Sequence, residues 1–445
     1  MTEKALELLK KRNFSQLKTL LSEMNPVDIA GILEEIPQEN LLLIYRLLPK
    51  ELAAEAFAEM DNDLQEILIQ AFSDRELQEV LEELYLDDTV DMIEEMPANV
   101  VKRILRQTSS EVRKEINEIL HYPEDSAGSI MTIEYVDLKK TMTVEEAFSR
   151  IRATGVDKET IYTCYVINAD RRLEGLVTVK DLLLAPQTVV IGDIMQTHVI
   201  AASTLDDKEK VAKQLQKYDF LALPVVDQEN RLVGIVTFDD AMDVLQQENT
   251  EDIEKMAAIT PTGKPYLKTT VMDIWKKRVP WLLLLMVSAT FTGKIIQIYE
   301  SALAAQVLLT AFIPMLMDTG GNAGSQASVT IIRGLSLGEI QWTDLFPIIW
   351  KETRVAILCG LTLSAANFAK MMLLDRVALP VALIVCLTLV ITVTIAKITG
   401  CTLPIFAKRI GFDPAVMASP FITTIVDALS LIVYFNIASI LLHLA

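Results

Sequence analysis

AVMASPFITTIVDALSLIVYFNIASILL, residues 415–442, carries a single formal charge, Asp427, near its middle. The stretch is long enough to cross a bilayer, which takes ~20 apolar residues. A carboxylate at that depth costs roughly 2.5–3.5 kcal/mol on the insertion scale, so it normally faces a watery cavity or a partner. No Lys or Arg on the span neutralises it. Two readings follow from this span alone. In one, a cation that comes and goes supplies the missing charge, and Asp427 marks an ion pathway. In the other, side chains such as Thr423, Thr424 or Ser430 cap the carboxylate as glue between helices.

Working back from this span, four more apolar stretches lie at 280–299, 303–332, 346–373 and 377–407, with the last at 414–443. Together they predict a membrane domain over 276–445. Lys276, Lys277 and Arg278 precede the first stretch, Arg333 follows the second, Lys351 and Arg354 open the third, and Lys408 and Arg409 end the fourth. The positive-inside rule then puts the N-terminal part in the cytoplasm and the C-terminus outside an inner or plasma membrane. The second stretch contains MLMDTGGNAGSQAS (315–328), with Asp318 as another carboxylate at or near membrane depth. Its glycines argue either for close helix packing or for a locally unwound backbone lining a cavity. No further charged relay is evident deep in the spans.

The 445 residues divide sharply by charge. Residues 279–445 hold 8 acidic and 9 basic side chains, leaving 52 acidic and 32 basic in 1–278. Such an acidic region lacks the basic footprint that nucleic acid needs. It suits divalent cations, which bind carboxylate oxygens, or it is merely solubilising. Met1–Lys11 is charged, with no apolar signal-peptide core. Cys164, Cys359, Cys386 and Cys401 show no CxxC spacing and read as buried thiols. No catalytic triad, P-loop or GxGxxG is present, so no enzyme chemistry is expected.

Residues 1–122 show helical periodicity throughout, as in Leu17, Leu20, Leu21 and Met24. Pro26, Pro37, Pro49 and Pro97 punctuate the pattern. VDIAGILEEIP (27–37) and DDTVDMIEEMP (87–97) are similar at an offset of 60. Short helices of this kind bury their apolar faces by stacking, which predicts an all-α superhelical array. HYPEDSAGSIM (121–131) leads into a different chemistry over 123–247. There VINADRRLEGLVTVKDLL (166–183) matches VVDQENRLVGIVTFDDAM (225–242): strand, polar turn, strand through Gly175 or Gly234, then a helix capped at Thr178 or Thr237. From 248 to 275 a connector follows. FDDAMDVLQQENTEDIEKM (238–256) is helical and acidic, and Pro261, Gly263 and Pro265 interrupt it. It reads either as a solvated link or as a lever between a sensor and a pore.

The doubled GxVT pattern resembles a tandem CBS pair (Bateman module) over about 131–247, which implies regulation by a nucleotide or ion. The domain order, the DTGGNAGSQ run, GFDPAVMASPFITTIVD (411–427) and EDIEK together resemble the MgtE-type magnesium channels along nearly the whole chain. The resemblance implies a homodimeric, lipid-embedded Mg2+ channel, with its pore between subunits and a connecting "plug" helix that closes it when cytosolic Mg2+ is high. By motif it implies Asp427 as the pore acid, with Ser419, Asn322 and Gly321 near the pore line. Asp413, at the head of the last span, is either a cap or an acid at the ion's mouth. For the sensor it points to Asp87, Asp91, Glu209, Asp219, Asp240 and Asp243, and on the connector to Glu248, Glu251 and Asp252. ATP at the CBS pair is a further expectation as a modulator. Two other classes stay open from the residues: a membrane-anchored sensor that does not transport, and an ion-coupled exporter of divalent cations.

Overall fold

A computed structural model describes residues 2–262, 266–300, 306–417 and 419–442. The chain forms two compact units, Met1–Leu245 and Gln246–Ala445.

The first unit opens with ten short helices, α1 (Thr2–Lys10) through α10 (Ser110–Ile119). One continuous apolar core runs through them from Ala5 to Ile119. The prolines start helices as much as they stop them. Pro26 is the first residue of α3 (Pro26–Glu35), where its missing N–H costs nothing, and Pro97 precedes α9 (Ala98–Gln107). The two similar segments fall on α3 and α8 (Leu86–Glu95), and both helices end in an extended residue, Ile36 or Met96. Ile29, Ala30, Ile32 and Leu33 are buried, as are their counterparts Thr89, Val90, Met92 and Ile93. The repeat therefore conserves its inward face. Its outward face differs: Asp87 and Asp91 stand where α3 has Val27 and Gly31.

Two three-stranded sheets follow. In the first, β1 (Tyr135–Leu138) runs parallel to β2 (Thr160–Ile167), which pairs antiparallel with β3 (Leu173–Thr178). In the second, β4 (Ala202–Ser203), β5 (Ala222–Val226) and β6 (Leu232–Thr237) repeat that order and sense. Helices α11 (Val144–Thr154), α12 (Val179–Leu184), α13 (Ile191–Ile194) and α14 (Lys208–Tyr218) complete the pair. Thr178 caps α12 through a reciprocal box with Asp181, and Thr237 Oγ1 donates to Asp240 in the same way. The copies also exchange backbone: Leu176 and Gln196 bond reciprocally at 3.0 and 2.9 Å, and Thr132 and Ile235 at 2.8 Å both ways. The last helix, α15 (Phe238–Met256), starts directly at the end of β6 and crosses into the second unit. The connector helix thus begins ten residues before 248 and ends at Met256, and no helix spans 257–262. Gly263 and Pro265 lie outside the described residues.

The second unit contains α16 (Val271–Ile298), α17 (Ile313–Ser336), α18 (Leu345–Leu373), α19 (Leu379–Arg409) and α20 (Ser419–Leu442). Among the described residues, four helical stretches are long and apolar enough to cross a membrane, those of α16, α18, α19 and α20. The fifth expected span is α17, whose polar residues lower its hydropathy. Over 313–336 it is an uninterrupted helix. The unwound-backbone expectation is therefore corrected: the glycines serve packing. A side chain added at Gly400 of α19 would collide with the backbone of Gly324 on α17, and one at Gly324 would lie 2.9 Å from Ile422. Small residues let these backbones approach where lipid offers no hydrophobic drive. The most buried helix is α19, and it forms the centre of the unit.

Candidate metal sites

In the first unit, residues from three separate elements converge on one acidic cluster. Asp87, at the start of α8, meets Glu134, just before β1, and Glu159, just before β2; one oxygen from each lies within 4.8 Å of the other two. Parallel pairing of β1 and β2 puts Glu134 and Glu159 side by side, and the Glu159 N–H donates to the Glu134 carbonyl at 3.0 Å. Glu134 Oε2 accepts from the Leu86 N–H at 3.3 Å and from Thr132 Oγ1 at 3.2 Å. Glu159 Oε2 is buried and has no hydrogen-bond partner. A buried carboxylate oxygen left unpaired is costly, and a divalent cation among three such groups would satisfy it. Carboxylate oxygens are the donors Mg2+ takes.

Electrostatics agree. Burial, reinforced by Asp240, Asp88, Glu159 and Glu134, holds the Asp87 carboxyl well above its usual range. Burial and Asp240 push Asp88 up to about 6 and Asp91 to about 7. Burial, then Asp240 and Asp239, raise Glu159 to about 7. Burial raises Asp240 to about 6, against the pull of the Thr237 hydroxyl. Burial and Asp239 raise Asp243, and burial with Asp243 and Asp239 raises Glu59. The fold therefore brings Asp87, Asp91, Asp240 and Asp243 into one field of negative charge. Elsewhere in the unit, Glu209 pairs with Lys213 on α14, and Asp219 ends that helix in the left-handed region at φ 54°. Neither is among the acids that act most strongly on the Asp87 group. Sequence reasoning missed Glu59, Asp88, Glu134, Glu159 and Asp239. Asp88 and Asp239 adjoin residues it named; the others meet the cluster only through the fold.

These shifts fix a pH dependence. Each carboxyl titrates higher folded than unfolded, so the folded chain binds more protons between about pH 4 and pH 7. Stability of the first unit falls as pH rises through that window. Mg2+ binds the deprotonated form and restores the lost stability, most at pH 8 and least at pH 5. Thermal unfolding of the full chain at both pH values, with and without Mg2+, checks this. The double variant Asp87→Asn/Glu159→Gln should lose most of the Mg2+-dependent gain at pH 8.

In the second unit, Asp427 sits half-buried on α20. The hydroxyls of Thr423 and Thr424 donate to the Pro420 carbonyl at 2.9 and 3.1 Å, and Ser430 Oγ is buried without a partner. None of the three named caps serves Asp427, and among the described residues no ion pair reaches it. Asp318 of α17 is near enough for its charge to act on Asp427. Asp318, Asn322 and Gln326 recur every four residues, on one face of α17. They line a cavity of about 470 Å3 against α18 and α19. Gly321, by contrast, is buried against α20, where an added Cβ would lie 3.0 Å from Thr423. Ser419 begins α20, and its side chain lies outside the described residues. Sequence reasoning also did not single out Lys397 of α19, on that cavity's wall, which pairs with Glu352 of α18 at 3.6 Å, both largely buried.

At the end of α15, Glu251 pairs with Lys255, and Asp252 accepts from Ser336 of α17 at 3.0 Å. Glu248 lies one turn earlier on the same helix. Asp413 does cap: its Oδ1 accepts from the Ala415 N–H at 2.8 Å, and its other oxygen meets Lys255.

Comparison with known proteins places these features. Residues 313–437 match a family profile described as "Divalent cation transporter", MgtE. Residues 24–125 match "MgtE intracellular N domain", and 127–187 and 191–247 each match the CBS domain. The chain is 36% identical over 442 residues to Magnesium transporter MgtE of Thermus thermophilus, covering 98% of this chain and 97% of that protein. It is 32% identical over 440 residues to the protein of that name in Bacillus subtilis, covering 98% and 96%. Among solved structures it resembles the cytosolic domain of the Mg2+ channel MgtE in complex with ATP, at 36% identity and TM-score 0.52, covering 55% of this chain and all of that one.

Proposed function

The chain belongs to the MgtE family of divalent cation transporters, and from that premise we propose a Mg2+-selective channel closed by Mg2+ at its cytosolic acids. As a member of that family it is a membrane transporter with an intracellular N domain and not an enzyme. Uptake runs down the electrochemical gradient across an inner or plasma membrane. Asp427 is the observation that carries the reading. It is an intramembrane carboxylate that none of its expected caps serves, with Thr423 and Thr424 bonded to Pro420 and Ser430 bonded to nothing, so a passing cation is its natural partner. In a homodimer, Asp427 and its symmetry mate would hold a largely hydrated Mg2+, which dehydrates reluctantly. Asn322 offers a polar group on the cavity face of α17, Gly321 supports that helix by packing, and Ser419 belongs to the proposal on family resemblance alone.

Closure follows from the acids. Asp87, Asp91, Asp240 and Asp243 repel one another when cation is scarce, and bridging Mg2+ selects the compact state in proportion to its preference for it. Glu134 and Glu159 join this set on the strength of the geometry above. Glu248, Glu251 and Asp252 carry the signal along the connector. Glu209 and Asp219 belong to the same proposal on family resemblance alone. ATP at the CBS pair is proposed as a modulator, supported by the relative whose cytosolic domain was solved with ATP.

Mg2+ uptake into proteoliposomes at low Mg2+, with no Na+ or proton gradient, tests the transport step. Uptake under those conditions is expected. Transport that needs a Na+ or proton gradient would favour an ion-coupled exporter, and no transport by folded protein would favour a membrane-anchored sensor.

A further inference from the structure

We propose that the Lys255 ammonium is a built-in cation that seats the end of α15 on the head of the last membrane helix, making Lys255 a positioning residue for closure. The inference deepens the gated-channel reading and rests on it.

Three contacts fix the last turns of α15 against the membrane helices. Lys255 Nζ lies 2.7 Å from Asp413 Oδ2 and also pairs with Glu251 one turn back. Asp252 accepts from Ser336 at the end of α17. Met256 packs on Ile332 of α17 and on Ala415, just before α20. The seat therefore touches both helices that carry the membrane carboxylates, Asp318 on α17 and Asp427 on α20. Asp413 divides its oxygens: one holds the turn that starts α20 through the Ala415 N–H, and the other holds Lys255. A shift of α15 along this axis pulls on the segment that leads straight to Asp427.

Charge explains why a lysine belongs there. Glu251 and Asp413 meet at the same ammonium, and these like charges oppose seating. Lys255 cancels part of that repulsion permanently. Its ammonium donates to both Asp413 and Glu251, so one cation answers two carboxylates. Mg2+ then has only the remaining acids to neutralise, so Lys255 sets the Mg2+ concentration at which the channel closes. Lys255 and Asp413 are 25% and 33% exposed, so the pair is screened and its effect is moderate.

The test is Mg2+ flux through full-length protein in proteoliposomes, recorded as Mg2+ on the cytosolic side is raised. Lys255→Gln is expected to raise the half-closing Mg2+ concentration roughly three- to ten-fold and leave the maximal flux at low Mg2+ unchanged. Lys255→Arg keeps the charge and should keep the wild-type midpoint. In an Asp413→Asn background, Lys255→Gln should shift the midpoint little further, because its partner is already gone. A Gln midpoint within two-fold of wild type would overturn the proposal. So would the same shift in the Asn background, which would mark a general loosening of α15. A wild-type channel that never closes with Mg2+ would remove the gated-channel reading, and this inference with it.

Discussion

Asp427→Ala should abolish Mg2+ flux while leaving a folded protein in the membrane. The native residue lies half-buried within a helix that is otherwise free of formal charge from Ser419 to Leu442. Removing its charge lowers the cost of inserting that helix, by roughly 2.5–3.5 kcal/mol on the insertion scale. Stability should therefore hold or rise, and loss of function cannot be blamed on unfolding. What goes is the charge proposed to hold a largely hydrated Mg2+. Losing a charge-assisted partner in a desolvated site costs about 2–5 kcal/mol, or roughly 30-fold to several thousand-fold in occupancy. Asp427→Asn keeps the shape and should lose nearly as much, because the amide brings no net charge. Flux measured on purified protein, with thermal unfolding alongside, checks both halves. Wild-type flux through the alanine variant would remove Asp427 from the pore.

Neutralising the connector should do the opposite. With Glu248→Gln, Glu251→Gln and Asp252→Asn together, the channel should conduct normally at low Mg2+ and stay open at high Mg2+. These acids stand on the last turns of α15, where Asp252 accepts from Ser336 and Glu251 pairs with Lys255. On the proposed scheme they are the ligands that bridging Mg2+ holds when α15 is seated, so without them Mg2+ has no preference for the closed state and shifts nothing. Allosteric couplings of about 1–3 kcal/mol correspond to roughly 5- to 150-fold in midpoint, and a shift of that order is expected. The isosteric amides preserve packing and the Ser336 contact, which keeps the readout electrostatic. A triple variant that closes along the wild-type dose response would acquit the connector.

How much of this was legible in the residues depends on how local each signal is. The CBS pair was, because strand, turn, Gly and Thr cap recur at fixed spacing and each dictates its own local backbone. Asp427 was, because a lone charge in an apolar span is conspicuous without any fold. The core face of the helical repeat was legible too, from the matching buried positions of α3 and α8. Glu134 and Glu159 were not. They sit in short links before β1 and β2, and only parallel pairing of those strands, plus the docking of α8, brings them to Asp87. The glycine run left two readings open because Gly serves both close packing and irregular backbone. Contact between Gly324 and Gly400 on another helix decided it. Lys397 and Glu352 were visible as charges, but their pairing across α18 and α19 is a tertiary fact.

The most direct test of the central claim is Mg2+ flux through the wild-type protein in oriented proteoliposomes, with Mg2+ on the cytosolic side set low or high. The account predicts flux at low cytosolic Mg2+ and its loss at high, with no other gradient imposed. Flux that ignores cytosolic Mg2+ would contradict it.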